Sequence, residues 1–268
     1  MEIKTLSIDW TPERLLILDQ TQLPHHSEWI EMKDLETFVT AIKNLSIRGA
    51  PLIGVASSLF LANLAQQWQG KKSVANLIAA AQTIRAARPT AVNLMVCVDR
   101  MLRVINLHKK TEEKIELVLK QQVTTEAIKI FHEDVQLCEQ IAINGAKFFV
   151  DGDSIVTHCN TGALATAGIG TALGVIKHAA KVEGKKLHVY VDETRPLLQG
   201  ARLTAWELEK LEIPYTLVSD SMAAFLMKQG KIQKAIVAYE SAKKAALEKD
   251  PTKLLTTAQL DEIIKTNL

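Results

Sequence analysis

Cysteine is scarce in this chain: Cys97, Cys138 and Cys159 are the only three, and no two are spaced as CxxC. Three thiols cannot all be bridged, so the sequence suits a reducing, cytoplasmic compartment and argues against a cysteine-based zinc site. Neither sign of charge dominates, with 32 Lys plus Arg against 30 Asp plus Glu. Such a balance predicts no broad cationic face to neutralise a phosphate backbone, so no nucleic-acid partner is expected. Long apolar runs are missing as well. The uncharged stretch at residues 159–176 is too short and too rich in Thr and Gly for a membrane span. The opening MEIKTLSIDW carries two acids and no apolar h-region, unlike a secretory signal. HExxH, GxSxG and Walker patterns are absent, and GIGTALG at 168–174 lacks the preceding strand that a dinucleotide fingerprint needs. No metal and no cofactor is expected.

What is present is a chain of 268 residues, 47% hydrophobic and 23% charged, a mixture that folds around a sizeable core. LSIDW and LLILDQ flank the polar turn TPER and predict an antiparallel hairpin. Apolar positions then recur at helical spacing in DLETFVTAIKNL, in PLIGVASSLFLANLAQQW with Pro51 in its first turn, in SVANLIAAAQTIRAA, in AVNLMVCVDRMLRVINL and from about Thr125 to Phe149. Residues 1–150 therefore read as a hairpin plus helical domain. After Asp151 the period changes: SIVTH, LHVYVDE and PYTLVS are short apolar or β-branched runs separated by helical stretches, the βαβ order of a parallel, Rossmann-like sheet. Ligands of such sheets sit beyond the carboxyl ends of the strands. That rule singles out His158, Cys159 and Asn160 after the first run, Asp192, Glu193 and Arg195 after the second, and Asp220 after the third.

Cys159 is expected where a strand hands over to a helix, a place where free amides would favour a thiolate. A small buried core residue is the alternative, and it is the reading given to Cys97 and Cys138, which lie on apolar helix faces. IRGAP at 47–51 places Arg48, Gly49 and Ala50 at the start of a helix, where amides and a guanidinium suit a phosphate; a plain helix-entry turn would leave the same letters. ARPTAVNL at 87–94 repeats the arrangement with Arg88. VDETRPLLQG at 191–200 gathers Asp, Glu, Arg and Gln at a strand end, where they would hold sugar hydroxyls or simply form a solvated loop. His25 and His26 read as solvated loop residues.

IRGAPLIGVA, ARPTAVNL, THCNTGALATAGIGTALGVI, VYVDETRPLLQGARLTAWEL and SDSMAAFLM resemble the signature blocks of the S-methyl-5-thioribose-1-phosphate isomerase family. Its superfamily, like the initiation factor 2B alpha, beta and delta subunits, also includes ribose-1,5-bisphosphate isomerases and non-catalytic regulatory subunits. The resemblance implies an α/β fold with a helical N-terminal domain and a Rossmann-like C-terminal domain, a homodimer, and an aldose-ketose isomerase acting on a small phosphorylated sugar. It further implies Cys159 at the reacting carbons and Arg48, Gly49, Ala50, Arg88 and Gln199 at the substrate. Past Lys231 the chain departs from the family. The family's GADR motif, whose aspartate is the proposed acid, is replaced by AYES, with Glu240 the nearest carboxylate. The expectation is an incomplete Rossmann-like domain at 151–231, a divergent and mainly helical tail at 232–268, and exposed sheet faces that weaken the C-terminal domain. Three readings stay open: methylthioribose-1-phosphate isomerase, ribose-1,5-bisphosphate isomerase, and a non-catalytic phosphosugar-binding protein on the same fold.

Overall fold

The TPER turn closes a hairpin in which the backbones of Thr11 and Arg14 exchange hydrogen bonds of 2.9 and 3.2 Å. A computed structural model describes residues 2–67, 73–108 and 116–236. The hairpin strands are β2 (Ile8–Trp10) and β3 (Leu15–Leu18), and the short β1 (Ile3–Lys4) and β4 (Trp29–Glu31) extend them to a four-stranded antiparallel sheet in the order β1-β2-β3-β4. Neither β1 nor β4 is flagged by a hairpin turn like TPER, so the sequence pattern reveals only the central pair.

The chain divides into two compact units, Met1–Val135 and Gln136–Leu268. In the first, α1 (Leu35–Lys43) starts at Asp34, whose Oδ1 accepts from Thr37 N at 2.8 Å. Then follow α2 (Ala50–Gln67), α3 (Ser73–Ala86), α4 (Val92–Asn106) and the start of α5 (Glu116–Ala146). Every residue of α2 from Leu52 to Ala65 is buried, so it is the central helix of this unit. Each of its buried Leu, Ile and Phe side chains contributes roughly 1.5–3 kcal/mol. The sheet is tied to it by polar groups as well: Trp10 Nε1 donates to Leu59 O, and Asn63 Nδ2 donates to Thr11 O and Pro12 O. Gly54 lets α4 approach, since a Cβ there would lie 2.8 Å from Cys97 Sγ and 2.9 Å from Asn93 O.

The second unit is built on a parallel sheet of β5 (Ser154–Thr157), β6 (His188–Asp192), β7 (Tyr215–Val218) and β8 (Lys234–Ile236), in the order β7-β6-β5-β8. Its core joins the end of α5 and Phe149 to α6 (Ala172–Lys181) and to Ile155, Val189 and Val191 of the sheet. At Gly145 a Cβ would lie 2.6 Å from a Val175 methyl, so helix α6 seats directly on the end of α5. The chain steps outward from β5 through β6 to β7 and then returns to the far side of β5 at β8. The order therefore reverses between β5 and β8, and this is the switch point where open parallel sheets form their ligand crevice.

Two sequence expectations change. Cys159 does not sit at a helix start, because residues 158–171 form turns and α6 begins only at Ala172. The excursion closes on itself through a Gly162–Gly170 bridge, and Thr161 Oγ1 accepts from Leu173 N at 3.1 Å. The helix amides are thus met by Thr161, not by Cys159. The segment assigned to a tail from residue 232 begins with strand β8, which pairs with β5. The rest of that expectation, including the AYES stretch and Glu240, lies at residues 237–268, outside the described residues. Among the described residues, no helix is long and apolar enough to cross a membrane.

Candidate active site

The carboxyl ends of β5 and β6 carry the second unit's unsatisfied polar atoms. Thr157 Oγ1, Asp192 Oδ1 and Gln199 Oε1 are buried and have no hydrogen-bond partner among the described residues. Native proteins rarely leave such groups unpaired, and where they cluster at a strand end a ligand is the natural partner.

Cys159 stands in the middle of this region. Its backbone is in the left-handed conformation, with φ at 63°, a strained state for a residue with a Cβ. Three threonine contacts impose it. Cys159 N donates to Thr194 Oγ1 at 2.8 Å, Thr194 Oγ1 donates to Asp192 O at 3.1 Å, and Thr204 Oγ1 donates to Cys159 O. The thiol itself makes no hydrogen bond to the described residues and is half-exposed.

Below the cysteine lies Glu207, a carboxylate 4% exposed on α7 (Ala205–Lys210). It accepts from Asn160 Nδ2 at 2.7 Å, Ala163 N at 2.8 Å and Leu164 N at 3.3 Å, and so shapes the loop that follows Cys159. A Cβ on Gly162 would overlap both of its oxygens, which explains the glycine.

Beside the cysteine, His158 Nδ1 lies 3.1 Å from Asp192 Oδ2. Asp192 is 7% exposed, and burial pushes its carboxyl pKa up, with the His158 hydrogen bond opposing that shift. Asp220 accepts from Thr194 N and Arg195 N, both at 2.8 Å, and these amide bonds hold its pKa below the ordinary value. The donor atoms of His158, Asp192 and Asp220 all lie within 4.8 Å of one another. The imidazole bond and the two amide bonds account for that spacing, so the trio carries no metal assignment.

Because the folded pKa of Asp220 is depressed, its stabilisation is present above the unfolded value of about 3.9 and is lost as pH falls through the lower, folded one. Acid unfolding of the second unit is therefore expected to flatten in Asp220→Asn, as read by circular dichroism between neutral and strongly acid pH.

Gln199 immediately precedes a π-helical turn, Gly200–Thr204, which continues into α7. Such widened turns recur at functional sites. At Gly200 a Cβ would strike the carbonyl of Asp192, so only glycine lets the turn lie against the end of β6. The other residues singled out in the sequence lie in the first unit. Arg48 and Gly49, the latter at φ 92°, precede α2, which opens with the exposed Ala50. Arg88 lies in the turn between α3 and α4, its carbonyl accepting from Ala91 N. Gly54 against Asn93 and Cys97 shows that the starts of α2 and α4 are adjacent.

A family description for the initiation factor 2 subunits matches residues 46–241, well over half of the chain. The chain belongs to the initiation factor 2 subunit family. Within that family it is 46% identical over 230 residues to the methylthioribose-1-phosphate isomerase of Enterobacter sp. (strain 638), a match covering 86% of this chain and 64% of that protein. The match to the Serratia proteamaculans protein of the same name is 48% over 233 residues, with the same coverage. The chain thus spans about 64% of the length of these curated relatives. Among solved structures, 5-methylthioribose 1-phosphate isomerase from Pyrococcus horikoshii OT3 superposes with a TM-score of 0.78 at 32% identity, covering 86% of this chain and 64% of that one. Translation initiation factor eIF-2B, subunit delta, from A. fulgidus gives 0.76 at 39% identity, covering 87% and 68%. The family's α/β architecture, helical first and Rossmann-like second, is the one described above.

Several residues of this site escape sequence reasoning. Thr194, Thr204 and Glu207 are ordinary letters in polar or helical stretches, and their role appears only when positions 35 to 47 residues apart meet. The one local hint is TRPLLQG, where a glycine follows a glutamine at a strand-to-helix passage.

Proposed function

We propose that the chain is an aldose-ketose isomerase of methionine salvage, interconverting S-methyl-5-thio-α-D-ribose 1-phosphate and S-methyl-5-thio-D-ribulose 1-phosphate. The observation that carries this reading is the unpartnered Cys159 thiol at the switch-point end of β5, with buried, unsatisfied oxygens of Asp192 and Gln199 on the neighbouring segments. The names of the relatives supply the substrate.

A phosphate on the anomeric oxygen prevents spontaneous ring opening, so the reaction needs an acid at the ring oxygen and a means of moving hydrogen from C2 to C1. Cys159 is placed in this reading at those carbons, either carrying the hydrogen as a proton on its thiolate or flanking a hydride shift. Gln199 holds a sugar hydroxyl. Arg48, with Gly49 and Ala50 at the start of α2, and Arg88 before α4 recognise the phosphate by charge and helix-terminal amides. The working form in this reading is a cytoplasmic homodimer, and the dimer is supported by Leu217, Met222 and Phe225, which are exposed around β7.

Incubation of the chain with methylthioribose 1-phosphate is expected to yield the ketose, followed by its carbonyl chemistry or by NMR. Binding without turnover would instead select a non-catalytic sugar-phosphate binder, and turnover of ribose 1,5-bisphosphate alone would select the bisphosphate isomerase. Arg48→Ala is expected to raise KM by about 10-fold or more, since a charge-assisted hydrogen bond to phosphate is worth roughly 1.5–3 kcal/mol.

A further inference from the structure

His158 is the one imidazole at the carboxyl end of β5 among the described residues, and the reading above leaves it unused. Its imidazole is held from one side only. Nδ1 faces Asp192 Oδ2 at 3.1 Å, while Nε2 has no partner among the described residues and the side chain is 43% exposed. Asp192 is fixed in turn: it ends β6, it is buried, and the adjoining chain is clamped by Thr194 Oγ1 on its carbonyl and by Gly200 packed against the same oxygen. A carboxylate that accepts the Nδ1 proton orients the ring, sets its tautomer and leaves Nε2 as the exchanging nitrogen. The remaining charges near the ring are Asp220, engaged by the amides of Thr194 and Arg195, and Arg195 itself, which is paired with Glu193. Neither blocks Nε2 in the hydrogen bonds formed.

We propose that His158, positioned by Asp192, is the proton-transferring residue of the isomerisation. The protonated ring gives its Nε2 proton to the ring oxygen as the bond from that oxygen to C1 breaks, leaving neutral imidazole and a free C4 hydroxyl. Hydrogen then passes from C2 to C1, as a hydride or through Cys159. Formation of the C2 carbonyl releases the C2 hydroxyl proton, which the neutral imidazole takes back. The ring oxygen is bonded to C1 and the hydroxyl to the adjacent C2, so in this proposal one nitrogen serves both, no proton is gained or lost overall, and no redox partner is needed. The assignment rests on the isomerase reading and deepens it, because it names a source for the ring-opening proton within the described residues.

The test uses methylthioribose 1-phosphate with the intact chain and with His158→Gln, His158→Ala and Asp192→Asn. His158→Gln is expected to lower kcat on the order of 10²- to 10⁴-fold while KM and the unfolding temperature stay near those of the unaltered chain. It should also remove the limb of the kcat profile in the imidazole range, and added imidazole should restore part of the activity of His158→Ala. In Asp192→Asn the amide nitrogen faces Nδ1, the tautomer inverts, and the neutral-range limb is expected to move or vanish. Activity within about threefold in His158→Gln, or an unchanged pH limb, overturns the dyad alone. Absence of turnover by the unaltered chain overturns the isomerase reading and the dyad with it.

Discussion

Replacement of Cys159 by alanine is expected to lower turnover of methylthioribose 1-phosphate on the order of 10³-fold or more while changing the stability of the fold by less than about 1 kcal/mol. The two halves of that expectation come from different parts of the residue. Its backbone is secured through N and O by Thr194 and Thr204, contacts that alanine retains, and its left-handed φ is no more strained for alanine than for cysteine. Its sulfur touches no hydrogen-bonding group, so its removal orphans nothing. A variant that keeps turnover within tenfold would show that the sulfur only fills space, and the isomerase reading would lose its reacting group. A variant that loses both activity and stability would place the thiol in the packing of the loop instead.

Glu207→Ala is expected to do the opposite, lowering stability by about 3 kcal/mol or more as measured by urea unfolding. Three donors lose their acceptor together: Asn160 Nδ2, Ala163 N and Leu164 N. Each hydrogen bond to a buried, charged acceptor is worth roughly 1.5–3 kcal/mol, partly offset because a buried charge is no longer desolvated. Glu207→Gln keeps one acceptor oxygen but turns an amide NH2 toward backbone donors, so an intermediate loss is expected. Unfolding midpoints within about 0.5 kcal/mol of the unaltered chain in both variants would show that water reaches the loop and replaces the carboxylate.

The difference between Cys159 and Glu207 also shows what sequence can and cannot reveal here. β5, β6 and β7 were readable because each is an apolar run whose period differs from the helices around it, and a parallel sheet then fixes which end carries chemistry. Cys159 and His158 follow from that rule without any contact information. β8 was not readable, since KAI is three residues with no period and lies beside a lysine-rich stretch. The start of α6 was misplaced for a related reason. Threonine, glycine and alanine in 161–171 fit a helix start as well as a loop, and the loop wins because Glu207, 43 to 44 residues away, supplies acceptors for its amides. Long-range polar satisfaction has no local signature, so the contacts that hold the β5 end stayed hidden while the candidate residues on it did not.

The placement of β5 between β6 and β8 has a consequence for the order in which the protein acquires its shape. Ile155 finds its neighbour Val189 early in synthesis, but its other neighbour, Lys234, emerges far later. Until then one flank of β5 is an open ladder of unpaired amides, able to dock the wrong strand. Strand β8 is consequently the last of the described strands to join the sheet, after the segments that fix Cys159 through Thr194 and Thr204 have already been made.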